Sequence, residues 1–201
     1  LDVYTGVYSA RFGSATGGIT NIVTRPGEDE WSTEVEDFMP HIRFRDGKIR
    51  GIRSFAPRVR VAGPIKAGSL WLSQSVNYAF ERDRVEDLEA FEPLPRTEQV
   101  RETFSGLTQI DYAATPAHRM TFTLAWFPGN IDNVQIDTLH PFDATPDSEQ
   151  RGWSGAVSDH LVLGPRTTLN TSAAVKAYDL TVLPKTADAS QVTVDGVRQN
   201  Y

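Results

Sequence analysis

The chain has 201 residues, with 20 Lys and Arg against 26 Asp and Glu and a formal net charge of -6. That acidic balance argues against a nucleic-acid partner, which needs a net basic surface, and the absence of cysteine excludes disulfide frameworks, thiolate metal sites and cysteine nucleophiles. No apolar run approaches the ~18 residues of a membrane-spanning helix. A transmembrane β-barrel is not excluded, because strands that alternate apolar and polar residues look soluble on average.

The chain opens on Leu1-Asp2-Val3-Tyr4, without an initiator Met, a basic leader or an apolar leader, and stops at Arg198-Gln199-Asn200-Tyr201, which reads as mid-strand. Both ends are therefore expected to be internal to a longer protein. In the first 27 residues, Gly13, Gly17 and Gly18 permit positive-φ turns. Ile19 to Thr24 reads as a β-branched strand, and Pro26-Gly27 ends it. Ile19, Ile22 and Val23 do not keep one parity, so this strand is not expected to face lipid on one side.

After Gly27, turn residues divide the chain into pieces of about ten to twelve residues with no sustained helical period, an all-β pattern. Leu70, Leu72, Val76, Tyr78 and Phe80 share one parity, opposed by Ser69, Ser73, Ser75 and Asn77. Phe104, Ile110 and Tyr112 oppose Ser105, Gln109 and Asp111, with an exception at Leu107. Met120, Phe122, Leu124 and Trp126 oppose Thr121, Thr123 and Ala125, until Phe127 breaks the pattern. Trp153, Val157, Leu161 and Leu163 oppose Ser154, Ser158 and His160, with Asp159 on the apolar parity, and a fainter strand runs from about Thr167 to Leu180.

The expected connections alternate in length. A tight Asp46-Gly47 turn and a short Gly63-Pro64 turn precede a long segment from about Arg84 to Glu102. A short Thr115-Pro116-Ala117-His118 turn, a long segment from about Pro128 to Gln150 and a short Gly164-Pro165 turn follow. Outer-membrane barrels have this asymmetry, with short periplasmic turns and long extracellular loops. With the long segments outside, Tyr78, Phe80, Phe104, Trp126 and Trp153 fall at the outer ends of their strands on the apolar parity, the place of an interfacial girdle.

The run from Val7 to Gly27 resembles the end of the plug domain of TonB-dependent outer-membrane receptors: an aromatic, a small residue, Arg, an aromatic and Gly, then a Gly-Gly pair leading into an Ile/Val-rich strand. Arg11, Gly13, Gly17, Gly18, Thr24 and Arg25 carry the motif. Val61-Ala62-Gly63-Pro64-Ile65-Lys66 and the run from Thr115 to Phe122 are similar to two periplasmic turns of the subgroup with an N-terminal carboxypeptidase-regulatory-like domain, which overlaps with SusC-like and Oar-like receptors.

The resemblance implies a plug end at residues 1–27 and, at 28–201, the N-terminal part of a transmembrane antiparallel β-barrel. That is about seven or eight of some 22 strands. It also implies import of a scarce nutrient (oligosaccharide, oligopeptide or siderophore) across the outer membrane of a Gram-negative bacterium. Energy would come from the TonB-ExbB-ExbD system through a TonB box upstream. A surface lipoprotein is a partner in part of the subgroup, and outer-membrane lipid or lipopolysaccharide would contact the wall. Plug arginines of the family face wall carboxylates, a role open to Arg11 and Arg25, which equally suit a hydrated lumen. The alternatives are a secreted β-sandwich that binds carbohydrate or protein, and a complete eight-stranded barrel acting as an adhesin or structural protein.

No catalytic chemistry is expected. His41, His118, His140 and His160 have neither the i,i+2 nor the i,i+4 spacing that joins two on one metal, so no metal or cofactor is expected. Gly152-Trp153-Ser154-Gly155 is not a nucleophile elbow, and there is no phosphate loop. Charge is uneven: Arg43, Arg45, Lys48, Arg50, Arg53, Arg58 and Arg60 accompany only Asp46, whereas Met120 to Gln150 holds Asp132, Asp137, Asp143, Asp147 and Glu149 with no Lys or Arg. The first run suits phosphates or another anionic ligand and the second divalent cations, with solvated loops as the plainer reading of both.

Overall fold

The computed structural model describes residues 2–5, 18–21, 29–45, 47–84, 98–134, 136, 145–185, 190–192 and 198–200. Among the described residues every regular element is a strand. β1 (Asp2–Thr5) and β2 (Gly18–Asn21) pair antiparallel as a two-stranded sheet. One antiparallel sheet then contains β3 (Ser32–Glu36), β4 (His41–Arg45), β5 (Lys48–Phe55), β6 (Arg58–Lys66), β7 (Leu70–Arg84), β8 (Glu98–Thr115), β9 (His118–Trp126), β10 (Gly129–Asp132), β11 (Asp147–Gly164) and β12 (Thr167–Leu183). β13 (Ser190–Val192) and β14 (Arg198–Asn200) form a separate pair. In the plug-like segment, Gly18 opens β2, while Arg11, Gly13, Gly17, Thr24 and Arg25 lie outside the described residues.

Several of these strands are halves of one path. Phe55 stands opposite Phe80 and Arg58 opposite Asn77, and between them the Tyr78 N–H donates to the Pro57 carbonyl (3.1 Å). Pro57 has no N–H and so interrupts the ladder, but the register of β5 carries into β6. Pro128 acts likewise between β9 and β10. There the Phe104 N–H donates to the Pro128 carbonyl (2.9 Å) and the Phe127 N–H to the Gly152 carbonyl (2.9 Å). β10 thus touches both β8 and β11 as the continuation of β9, so this circuit of pairings is not a closed barrel. β3 and β4 are joined across Asp37, held at φ 55, and both pair with the β5–β6 path.

The sheet is therefore a meander of seven paths: 32–45, 48–66, 70–84, 98–115, 118–132, 147–164 and 167–183, each beside the one before it. The strand ends joined by 67–69, 116–117 and 165–166 lie at one end, and the strand ends that flank 46–47, 85–97 and 133–146 lie at the other. Length alternation is thus present, with corrected boundaries. Gly63-Pro64 is not a turn. It lies inside β6, where Pro64 stands just past the last β3 partner and costs no ladder bond on that open side. The turn falls at 67–69, where Gly68 takes φ 72. The long segment expected from Pro128 to Gln150 shrinks to 133–146, because β10 continues past Pro128 and β11 begins at Asp147. The final strand extends to Leu183.

Burial is inverted relative to a water-soluble sheet. Among the described residues the buried hydrophobics are Ala62 and Ile136, whereas the buried polar residues are Gln109, Asp111, Asn133 and Thr145. Leu124, Phe122, Trp153 and Val175 are all exposed.

The turn chemistry yields a test. Gly68 is in the left-handed region with no neighbour near its Cα hydrogens, while Gly164 has open space and no positive φ. Gly68→Ala should cost about 1–2 kcal/mol from backbone strain alone, and Gly164→Ala should be close to neutral, as read by urea unfolding.

Candidate membrane-facing surface

Residues directly opposite in an antiparallel ladder share a face, so the register assigns the paired side chains. One face carries Val59 and Val61 from β6, Leu70, Leu72, Val76, Tyr78 and Phe80 from β7, and Phe104, Ile110 and Tyr112 from β8. Met120, Phe122, Leu124 and Trp126 of β9, Trp153, Val157 and Leu161 of β11, and Leu169, Ala173 and Val175 of β12 complete it. The other face presents Ser73, Ser75, Asn77, Ser105, Gln109, Asp111, Arg119, Thr121, Thr123, Ser154 and Ser158.

The five aromatics expected in a girdle all lie on the apolar face at the long-connection end. Tyr78 and Phe104 have ring centroids 6.3 Å apart, and Phe104 stacks on Trp126 at 5.0 Å and 24°. Trp153 stands opposite Trp126, and Phe80 opposite Phe55. Sequence reasoning missed the continuation of this row through Phe55 (6.5 Å from Tyr78) and Phe38 (6.4 Å from Phe55). The missing signal was register: Phe55 joins the row only if the strand passes Pro57 unshifted, and Phe38 only beyond the irregular Asp37.

Glycine makes the row possible. The Trp126 indole lies flat over Gly106, its direct cross-strand partner, and a Cβ there would collide with the ring. At the opposite rim the Trp31 indole covers Gly63 in the same manner, and Tyr112 also lies near that end on the apolar face. Phe104 and Tyr112 are eight residues apart on β8, about 27 Å at ~3.4 Å per residue. A tilt of ~40° brings that to roughly 20 Å, close to the ~25 Å apolar band of outer-membrane barrels.

The polar exceptions on this face include two cross-strand pairs. Thr108 Oγ1 donates to Gln74 Oε1 (2.5 Å), and Gln74 Nε2 donates to the Ser75 carbonyl (3.3 Å). Asp159, the anomaly on the apolar parity, meets His118 Nε2 at 2.7 Å beside the 116–117 turn. Of the other histidines, His41 bonds Ser54 (3.2 Å) and His160 bonds Asn170 (2.6 Å), while His140 lies outside the described residues. Leu107 and Phe127, the two breaks in the pattern, point to the polar face, where Phe127 packs over Gly152 and stacks on Tyr178 (6.5 Å).

Beyond the aromatic row the apolar face turns charged: Arg82 on β7, Glu98 and Glu102 on β8, Asp132 on β10, and Asp147, Glu149 and Arg151 on β11. Comparison with protein families, with curated proteins and with solved structures finds no match to this chain. Function is therefore read from this surface and from the sequence. The run of seven basic residues is not one patch, because the β5–β6 path carries it the length of the sheet. Arg58 and Arg60 pair with Glu36 (3.2 Å) and Glu34 (3.5 Å) of β3, far from the hairpin arginines.

The acidic stretch is built rather than loose where it is described. Asn133, at φ 59, receives Gln99 Nε2 on its carbonyl (3.2 Å), donates its side-chain amide to the Glu98 carbonyl (2.6 Å) and its backbone N–H to Asp147 (2.9 Å). Lys185 reaches the same Asp147 carboxylate at 2.8 Å. The polar face has its own centre: Asp111, 5% exposed, accepts from Gln109 Nε2 (2.7 Å) and Thr121 Oγ1 (2.6 Å). Nearby, Trp71 donates to Asp29 (3.0 Å) and carries the Arg119 guanidinium on its ring at 5.9 Å.

Two outcomes are expected. Gly106→Ala should displace Trp126 and cost about 1–3 kcal/mol by overpacking, with a changed near-ultraviolet dichroism. Gly155→Ala, whose Cβ would meet only ordinary contacts at 3.7 Å, should do neither. Partial burial and then the Asp147 carboxylate raise the Asp132 carboxyl above its ordinary value, Lys185 opposing and Glu102 adding to the effect. A raised folded value means a stabilising contribution that is complete below the unfolded value near 4 and lost as pH rises through the folded one. Protection of the Val134 amide, which bonds the Pro146 carbonyl at 2.8 Å, should fall across that window, and Asp132→Asn should remove the dependence.

Proposed function

We propose that this sheet is part of the wall of a transmembrane β-barrel in the outer membrane of a Gram-negative bacterium, and that the protein is a TonB-dependent receptor importing a scarce nutrient. The observation that carries this reading is the inverted sheet. An apolar band bounded by aromatic rings at both rims and by charge beyond one rim has the form of a surface solvated by lipid. A sandwich would need a second layer over that band, and among the described residues none covers it. The edges support the same reading. Along its whole length β12 has a partner on one side only, as do β3 and β4, and such long bare edges are closed in a barrel by further strands.

The receptor assignment rests on the plug-like run from Val7 to Gly27, whose motif residues are Arg11, Gly13, Gly17, Gly18, Thr24 and Arg25. On this reading the polar face lines the lumen and residues 1–27 end the plug. TonB-ExbB-ExbD supplies energy through an upstream segment, and the protein moves its substrate without catalysing a reaction. Oligosaccharide, oligopeptide and siderophore remain the substrate classes.

Leu124 and Thr123 are neighbours on opposite faces in the middle of β9. Leu124→Arg should cost about 2–4 kcal/mol in membrane-inserted protein, and Thr123→Arg little. Equal costs in unfolding from lipid vesicles would remove the lipid-facing assignment.

A further inference from the structure

Gly63-Pro64 has the chemistry of a turn and yet lies inside β6, and the chain that enters the sheet crosses the edge of β6 at this dipeptide. β3 pairs with β6 from Ser32, opposite Ala62, onward, so Trp31 stands beside Gly63 while residues 29–30 bend out of the ladder. Pro64 has no N–H, so the crossing chain leaves no donor of β6 unpaired at that point.

The crossing is gripped on both faces of the sheet. On the apolar face the Trp31 indole lies on Gly63, where any Cβ would collide with the ring. On the polar face the Trp71 indole, opposite Pro64 in the ladder, donates from Nε1 to Asp29 Oδ1 at 3.0 Å, a bond strengthened by the carboxylate charge. The Arg119 guanidinium lies over the same ring at 5.9 Å, so β9 holds the indole by its face while Asp29 holds it by its edge. Trp71 is otherwise out of place, a large aromatic among Ser73, Asp111 and Thr121 on the polar face. Holding Asp29 gives it a role there.

We infer that Trp71, Arg119, Trp31 and Gly63 form a clip that fixes the chain at Asp29, so that a pull on the preceding segment stops there instead of peeling β3 from β6. β3 needs such protection, because it has five residues, mostly exposed, and β6 is its partner strand among the described residues. A load that reaches Asp29 is passed through Trp71 to β7 and β9, which are paired along most of their lengths with β8 between them. The meaning of the clip for import rests on the receptor reading, in which the preceding segment is the plug end and Asp29 its fixed attachment to the wall.

The test is single-molecule pulling of the full chain between Asp2→Cys and Thr181→Cys, two unique handles in a protein without cysteine. In this parent the first event should free about 100 Å of chain, residues 2–28 at ~3.6 Å each, with β3 released in a later, separate event. Trp71→Phe, which removes the donor and keeps a ring under Arg119, and Asp29→Ala should each merge the two events and free about 130 Å, as far as Glu36 at the end of β3. Trp153→Phe, on the other face, should leave the parent pattern unchanged. A parent that runs to Glu36 in one step, variants Trp71→Phe and Asp29→Ala that still stop at Asp29, or equal merging in Trp153→Phe would overturn the clip. These lengths read the same in micelles or in water. A preparation that stays monodisperse without detergent or lipid would instead remove the import role and leave the clip standing.

Discussion

A period of two residues leaves an antiparallel ladder no freedom over which side chain faces which way, and in this protein that period survives two interruptions. Pro57 and Pro128 each remove ladder bonds, yet the pairs on either side stay in step, whereas β4 shifts twice against β5. Had either proline shifted the register by one residue, Phe55 or Asp132 would have changed faces. The aromatic row, the charged collar and the buried polar centre all depend on that constancy.

The energetic consequence is an exposed apolar face. In water each fully exposed Leu or Phe forgoes about 1.5–3 kcal/mol of burial, and a single-layered sheet cannot recover this from a core holding Ala62 and Ile136. On the proposed membrane-wall reading, lipid would remove the deficit without a second layer. The same reading demands that polar groups on that side be satisfied within the protein. The Gln74–Thr108 and His118–Asp159 pairs meet it, each joining neighbouring strands.

Glycines on the sheet serve the aromatics more than the turns. Gly106, Gly63 and Gly152 each sit directly beneath a ring of the adjoining strand, where glycine's missing side chain lets an indole or phenyl lie flat on the ladder. This shields backbone that a glycine alone would leave bare. At Gly106 it also lets Trp126 lie flat beside Phe104 in the aromatic row.

The amino-acid sequence by itself determined that the chain is all-β, which residues share a face within each strand, and that short and long connections alternate, because period-two patterning and turn residues are local properties. It could not place the turn after β6, since Gly63-Pro64 has turn chemistry and only the pairing of Pro64 opposite Trp71 shows that the strand runs on to Lys66. It read seven basic residues as one run, whereas the sheet separates Arg58 and Arg60, paired with Glu36 and Glu34, from Arg43. It found Tyr78, Phe104 and Trp126 but not their union with Phe38 and Phe55. Tertiary structure decided these matters because they turn on which strands are neighbours and in what register, relations between residues distant in the chain that no local pattern encodes.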